Sequence, residues 1–347
     1  MLIKEIIRKH LIDSRDAKTH TNNKKLKKSI FDNNELFYNI KSFGIKNPKK
    51  TFYVIQRSQG GLFSILNYVL HHLFIAEKFN FIPVVDMANY YTLYNEKKPI
   101  KGINNSWEYY FEPVSKYSLD EVYKSKNVII TDGQTRKNIF FDGLENLTSI
   151  HKKIFNKYIK IKKNFIREKD IFYSENFKNL NVLGVHFRGT DYKNRERHPY
   201  PATKKQITDI IDNLNSKYKY DKIFLVTEEK SHLDYLKKRY TNLIYFSKIF
   251  TKKKQIFFER FTNNIRYKIG RENLIDMLLL SSIKHVVGVD SNLISTSKYI
   301  SKKKIIFFKI ENGYNSKNIF IASFKWYLKS LLPKALGGLD YKIKKIK

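Results

Sequence analysis

Apolar positions along the chain follow two periods, and the change from one to the other marks out its elements. Residues 51–55 and 81–85 are short apolar, β-branched runs, whereas residues 62–78 carry apolar side chains three and four apart, the spacing of one helix face. With Gly60-Gly61 as the intervening turn they predict a strand–helix–strand unit. A further strand is expected at 127–131, and the charged stretch from about 152 to 178 is expected to carry a linker. The second half alternates more regularly, with strands at 181–187, 222–227, 243–246, 285–289 and 304–308 and helices at 203–217, 231–239, 271–282 and 291–300. Such alternation builds mostly parallel, doubly wound sheets. The expected organisation is a polar, Lys/Asn-rich extension over 1–50, an α/β domain over 51–175 and a Rossmann-like domain over 176–347 that ends in a helix and a basic tail. Two such domains leave a cleft between them.

Composition narrows the picture. The chain has 347 residues, 42% hydrophobic and 15% aromatic, enough for two real cores. It has no cysteine, which removes disulfides, thiolate nucleophiles and cysteine-held metals together. A reducing compartment fits best. No apolar run near the start suits a signal peptide and none approaches a membrane span, so a cytoplasmic protein is expected. Charge is the loudest number: 67 Lys plus Arg against 32 Asp plus Glu gives +35. A basic nucleic-acid-binding protein is one reading. Against it, the basic residues run along the whole chain without a basic-region helix or zinc-finger spacing, so general composition explains them more simply and no nucleic acid is expected. A cationic surface also attracts anionic lipids and substrates. The segment from Trp326 through the lysine-rich end suits either a membrane surface or, more plainly, a packed helix with a solvated tail.

One octapeptide carries the chemistry. Gly184-Val185-His186-Phe187-Arg188-Gly189-Thr190-Asp191 puts an imidazole, a guanidinium and a carboxylate at the end of an apolar strand, where open α/β sheets bind ligands. His186 and Arg188 are two residues apart, so strand alternation points both to one side. A guanidinium grips two phosphate oxygens at once and stays charged, which suits Arg188 to a diphosphate. The alternative is a structural Arg188–Asp191 ion pair. No Gly-Lys-Ser/Thr follows the glycines and no Asp-x-Asp pair occurs, so neither a Walker loop nor a metal is implied.

Asp290-Ser291-Asn292 opens a helix after another strand, as an anion site or merely as a cap. Glu228, beside Thr227 and Glu229, lies at a strand-to-helix corner, where acidic residues need no function. Gly60 and Gly61 suit a backbone that approaches a ligand, or a tight turn. His71-His72 has no metal-ligand partner at useful spacing, and Trp107, Tyr109 and Tyr110 suit sugar stacking less well than a core.

With these residues in place the chain resembles the inverting fucosyltransferase superfamily that uses GDP-fucose, which includes the α1,6-, nodulation-factor, α1,2- and protein O-fucosyltransferases. His186-Phe187-Arg188-Gly189-Thr190-Asp191 is similar to its His-x-Arg-Arg-x-Asp, and Thr227-Glu228-Glu229 to its Thr-Asp-Asp or Thr-Asp-Glu. A third motif runs from Asn273 and Asp276 through Val286-Val287-Gly288 to Ser291-Asn292, and Gln59-Gly60-Gly61-Leu62 resembles the family's glycine loop.

The resemblance implies a GT-B-like α/β fold of two Rossmann-like domains facing a cleft. It assigns His186 and Asp276 to guanine, Arg188 to the diphosphate, and Ser291, Asn292, Gly60 and Gly61 to phosphate and sugar, with Glu228 also on the donor side. Glu196 stands where the α1,6 branch has an important carboxylate, which makes it the first candidate base; Asp191 is the second, or holds the loop. The family's second Arg is Gly189 here, leaving one fewer cation unless Arg195 or Arg197 replaces it. The implied function is metal-independent, inverting transfer from a GDP-sugar, L-fucose first and another deoxysugar or heptose as the alternative, without a further cofactor. The implied acceptor is a glycan or lipid-linked glycan in capsule or O-antigen synthesis, with peripheral contact with an anionic inner-membrane face.

Overall fold

The computed structural model describes residues 40–57, 60–131, 147–252, 256–258, 264–339 and 342–346. They divide into two compact units, the described residues up to Lys162 with Asn264–Gly270, and those from Lys163 onward with Arg271 and all that follows it.

In the first unit, β1 (Ile40–Lys41), β2 (Lys46–Ile55), α1 (Leu62–Lys78), β3 (Ile82–Val85), α2 (Leu119–Val122), β4 (Ser125–Ile130) and α3 (Leu147–Tyr158) follow one another along the chain. The sheet order is β1-β4-β2-β3, with β2 parallel to both β3 and β4 and β1 antiparallel at the edge. Phe52, Val54, Val84, Val122 and Val128 fill one face of the sheet. The alternate residue Tyr53 faces α1, where its hydroxyl lies 2.7 Å from His72 Nδ1. Strand β2 begins five residues ahead of the apolar run, because Lys46 pairs through its backbone with Ser125 and pairing needs no apolar side chain.

The second unit contains α4 (Lys163–Asn176), β5 (Val182–His186), α5 (Lys204–Tyr218), β6 (Lys222–Val226), α6 (Lys230–Arg239), β7 (Leu243–Ile244) and α7 (Ile265–Leu280), whose residues up to Gly270 group with the first unit. Then come β8 (His285–Gly288), α8 (Asn292–Ile300), β9 (Ile306–Glu311), α9 (Ile319–Leu331) and β10 (Lys342–Ile346). The order is β10-β9-β8-β5-β6-β7, all parallel except β10. From β5 the chain moves outward to β6 and β7, then returns to β8 on the other side. That reversal makes a switch point between β5 and β8, and the crevice beyond their carboxyl ends is where such sheets hold ligands. Leu183, Val185 and Phe187 face the core formed with α5 and α6. Gly184 faces α7, and a Cβ there would come within 2.7 Å of Leu280 Cδ2. The sheet is therefore covered on both faces, as its continuous apolar strands require.

The boundary between the two units, Lys162 to Lys163, falls within the charged stretch expected to carry a linker. Most of that stretch is nevertheless helical, in α3 and α4, where His151, Ile154 and Phe155, three and four residues apart, and Phe165 are buried. One expectation needs correction. The basic tail is not simply solvated: Lys342–Ile346 pairs along its length with Glu311–Phe307. The helix before it is largely unpacked, with Ala322 its buried residue. Among the described residues no helix is long and apolar enough to cross a membrane.

Candidate functional site

The switch point gathers four of the polar residues singled out in the second unit, His186, Arg188, Asp276 and Ser291. His186 ends β5 opposite Gly288 of β8, and a Cβ at 288 would sit 2.8 Å from the His186 carbonyl oxygen, so glycine keeps this strand pair close. Ser291 Oγ lies 3.4 Å from His186 Nδ1 and accepts a hydrogen bond from Ile294 N at 3.2 Å, capping α8. Thus Ser291 is both a cap and a neighbour of the imidazole. Burial, reinforced by the charges of Arg188 and Lys248, pushes the His186 imidazole down to about 3. It is neutral near pH 7, with one ring nitrogen to donate and one to accept.

Lys248 was not singled out in the sequence. Its ammonium pairs with Asp276 of α7, and both side chains are almost wholly inaccessible. Burial raises the Asp276 carboxyl above the ordinary range, against the opposing pull of Lys248. Asp276 Oδ1 is buried and has no hydrogen-bond partner among the described residues. Glu272, one turn earlier, accepts from Ile249 N at 3.1 Å and is likewise raised by burial. His186, Arg188, Lys248, Asp276 and Ser291 therefore form one electrostatic cluster. A lysine among so many has no sequence signal; only its burial beside a carboxylate distinguishes it.

Arg188 is half-buried, with its guanidinium 4.4 Å from the Tyr192 ring centroid. The side chain of Asp191, on the single turn Thr190–Lys193, lies outside the described residues, as does Gln59. The structure also supplies a reason for Gly189. A Cβ there would collide with the Glu229 carboxylate and come within 2.6 Å of His232 Cε1. Glu229 accepts from Lys193 Nζ at 2.7 and 2.9 Å and lies 3.0 Å from His232 Nε2, while the His232 ring stacks on Phe187 at 3.6 Å. Burial works to raise Glu229, but His232 and Lys193 outweigh it and hold the carboxyl well below the usual range. The space a second arginine would need is filled by this network.

The remaining residues are more dispersed. Asn292 is exposed at the first turn of α8, and Glu228, partly buried, contributes its carbonyl to a bond from Thr251 N at 2.8 Å. Glu196 is half-buried beside exposed Arg195 and Arg197; Arg197 has φ 60°. In the first unit Gly60 has φ 101°, a conformation that favours glycine, and the Gly61 carbonyl accepts from Ser64 N and Ile65 N at 2.9 and 3.0 Å to start α1. Arg57, buried after β2 and 5.0 Å from the Tyr68 ring centroid, is a second cation that sequence reading passed over. Trp107, Tyr109 and Tyr110 are core residues. His71 Nε2 lies 2.9 Å from His151 Nε2.

No protein-family model matches the chain, and no curated protein matches it in sequence. Solved structures do. NodZ α-1,6-fucosyltransferase co-crystallised with GDP superposes at a TM-score of 0.53 with 17% identity, over 76% of this chain and 96% of that one. The chain shares the fold of NodZ. A second structure, fucosyltransferase NodZ from Bradyrhizobium, gives a TM-score of 0.52 at 16% identity over 75% and 96% of the two chains. NodZ soaked with GDP-fucose gives 0.50 at 15% identity, over 75% and 95%. The α/β, GT-B-like fold class expected from the sequence is the one found.

Proposed function

We propose that the protein is a glycosyltransferase that takes a sugar from a GDP-linked donor, L-fucose first and another GDP-linked deoxysugar or heptose as the alternative. The observation that carries this reading is the cluster of His186, Arg188, Lys248, Asp276 and Ser291 at the switch point of a sheet with the NodZ fold. A neutral imidazole and a carboxylate with one oxygen unpaired among the described residues suit the hydrogen-bonding edge of a purine. Arg188 matches a diphosphate, and exposed Asn292 stands at the N-terminus of α8, where the helix dipole favours the same anion.

The chemistry assigned to these residues is displacement at the anomeric carbon with inversion. The acceptor hydroxyl attacks opposite the departing GDP, and Arg188 with the start of α8 stabilises the negative charge as the glycosidic bond breaks, without a metal. A carboxylate taking the hydroxyl proton would add roughly 10²- to 10⁴-fold. Glu196 is the first candidate and Asp191 the second. A glycan or lipid-linked glycan of capsule or O-antigen type is the acceptor class proposed.

Calorimetry with GDP tests the donor reading. Wild type should bind, and Arg188→Lys should weaken binding by roughly 10- to 100-fold, because a point charge cannot reproduce the bidentate fork. Undiminished binding by that variant removes Arg188 from the site. Undetectable GDP binding alongside tight binding of a purine-free diphosphate sugar removes the guanine assignment. A thermal-shift screen of GDP-sugars, followed by NMR of the product's anomeric configuration, identifies the sugar and tests inversion.

A further inference from the structure

The helix α9 turns its apolar side outward. Asn318 caps it, accepting from Phe320 N and Ile321 N at 2.9 and 3.2 Å. Its seat on the second unit is narrow: Ala322 is buried, Trp326 Nε1 donates to the Pro201 carbonyl at 3.0 Å, and Lys193 Nζ lies 5.3 Å from the Trp326 ring centroid. At about 100° per residue, Tyr327, Phe320, Leu331, Phe324, Leu328 and Ile321 fall within an arc of roughly 120°. All six are exposed, with Phe320 at 79%, Phe324 at 49% and Leu331 at 82%. That arc includes no charged residue, and exposed Leu332 and Leu336 extend the apolar surface past the helix end. A contiguous apolar patch of this kind marks an interaction surface.

Charge identifies what covers it. Residues 312–339 contain Lys317, Lys325, Lys329 and Lys334 and neither Asp nor Glu, and β10 exposes Lys342, Lys344 and Lys345, in a chain of net charge +35. A second copy would bring the same cationic rim against this one. An anionic lipid surface instead accommodates both features, taking the apolar arc at the acyl boundary and the lysines among the headgroups. With 13 residues, α9 is far too short to span a bilayer and suits an orientation in the plane of its surface.

We infer that α9 is an interfacial helix that docks the protein on a bilayer rich in anionic headgroups. The Lys193–Trp326 contact fastens this helix to the turn that follows the His186–Arg188 motif, so docking holds that loop near the lipid surface. The inference does not depend on the identity of the donor.

Sedimentation of the full chain with phosphatidylcholine vesicles, and with equal parts phosphatidylcholine and phosphatidylglycerol, tests it. Wild type should bind the anionic vesicles, prefer them to the neutral ones, and release as salt is raised. Phe324→Ser with Leu331→Ser should weaken binding by about tenfold or more. Both side chains are exposed, so the thermal midpoint should be unchanged, and a folded variant confirms that the lost binding is local. Lys344→Glu with Lys345→Glu should weaken binding to anionic vesicles and leave any residual neutral binding unchanged. No binding to anionic vesicles overturns the inference, as does undiminished binding by the Phe324/Leu331 variant. A dimer in analytical ultracentrifugation that the serine variant dissociates, without vesicle binding by wild type, assigns the face to a second copy instead.

Discussion

The two sheets end in polar loops of opposite construction. After β2, the first unit presents backbone: Gly60 adopts a left-handed conformation, Gly61 starts α1 with its carbonyl, and the Tyr94 hydroxyl accepts from Leu62 N at 2.8 Å. Beyond the ends of β5, β6 and β7, the second unit presents side chains that already answer one another, Lys248 with Asp276 of α7 and Lys193 with Glu229. A backbone loop depends on which residues lack a Cβ, whereas a side-chain cluster depends on partners distant in sequence. The same location in two α/β units is therefore built with very different tolerance to substitution.

Breaking the buried pair should show the largest difference. Lys248→Met leaves the Asp276 carboxylate buried without its cation, and urea denaturation should record a loss of roughly 3–5 kcal/mol, largely recovered by adding Asp276→Asn. A loss no larger than that of a surface lysine would show that the pair is not sequestered. Gly189→Ala comes next, at roughly 1–3 kcal/mol, because the added carbon meets a carboxylate held in place by Lys193 and His232. A double-mutant cycle with Glu229→Ala should show favourable coupling; strict additivity would mean that Glu229 is not what excludes a side chain there.

The backbone loop should respond at single positions. Gly60→Ala should cost about 1–2 kcal/mol, since φ is 101° and Ser64 Oγ would lie 2.8 Å from the new carbon. Gly61→Ala should be nearly silent, with φ −71° and the Tyr94 hydroxyl oxygen 3.9 Å away. Equal losses at both positions would remove the conformational explanation.

The last effect is a slope. His186 has a folded pKa of about 3 against 6.5 when unfolded, so below pH 6.5 the unfolded chain takes up a proton that the folded chain refuses. Stability should fall as pH falls through 6.5 and level off near 3 for this group. His72, at about 3, and His151, at about 4, act in the same direction from the first unit. His186→Asn should flatten the dependence between about pH 6 and pH 4 by at most roughly 1.4 kcal/mol per pH unit. An unchanged slope would mean that the imidazole is not sequestered.

The alternating apolar periods were sufficient for the parallel strands, the helices between them and the α/β class, because burial on both sheet faces demands continuous apolar strands. They also placed His186, Arg188 and Ser291 at strand ends, since strand and cap positions are local properties. Three features depended on tertiary contacts. Charge count concealed α3 and α4, whose few buried aromatic and aliphatic residues outweigh many exposed lysines. Lys248 and Arg57 acquire meaning only through burial beside distant partners. Gly189 reads in sequence as a missing arginine, but in space it is a position already occupied by Glu229 and His232. Local sequence determined which residues reach the ends of the strands, and only the fold decided which charges meet there, because pairing across a sheet depends on three-dimensional distance and not on spacing along the chain.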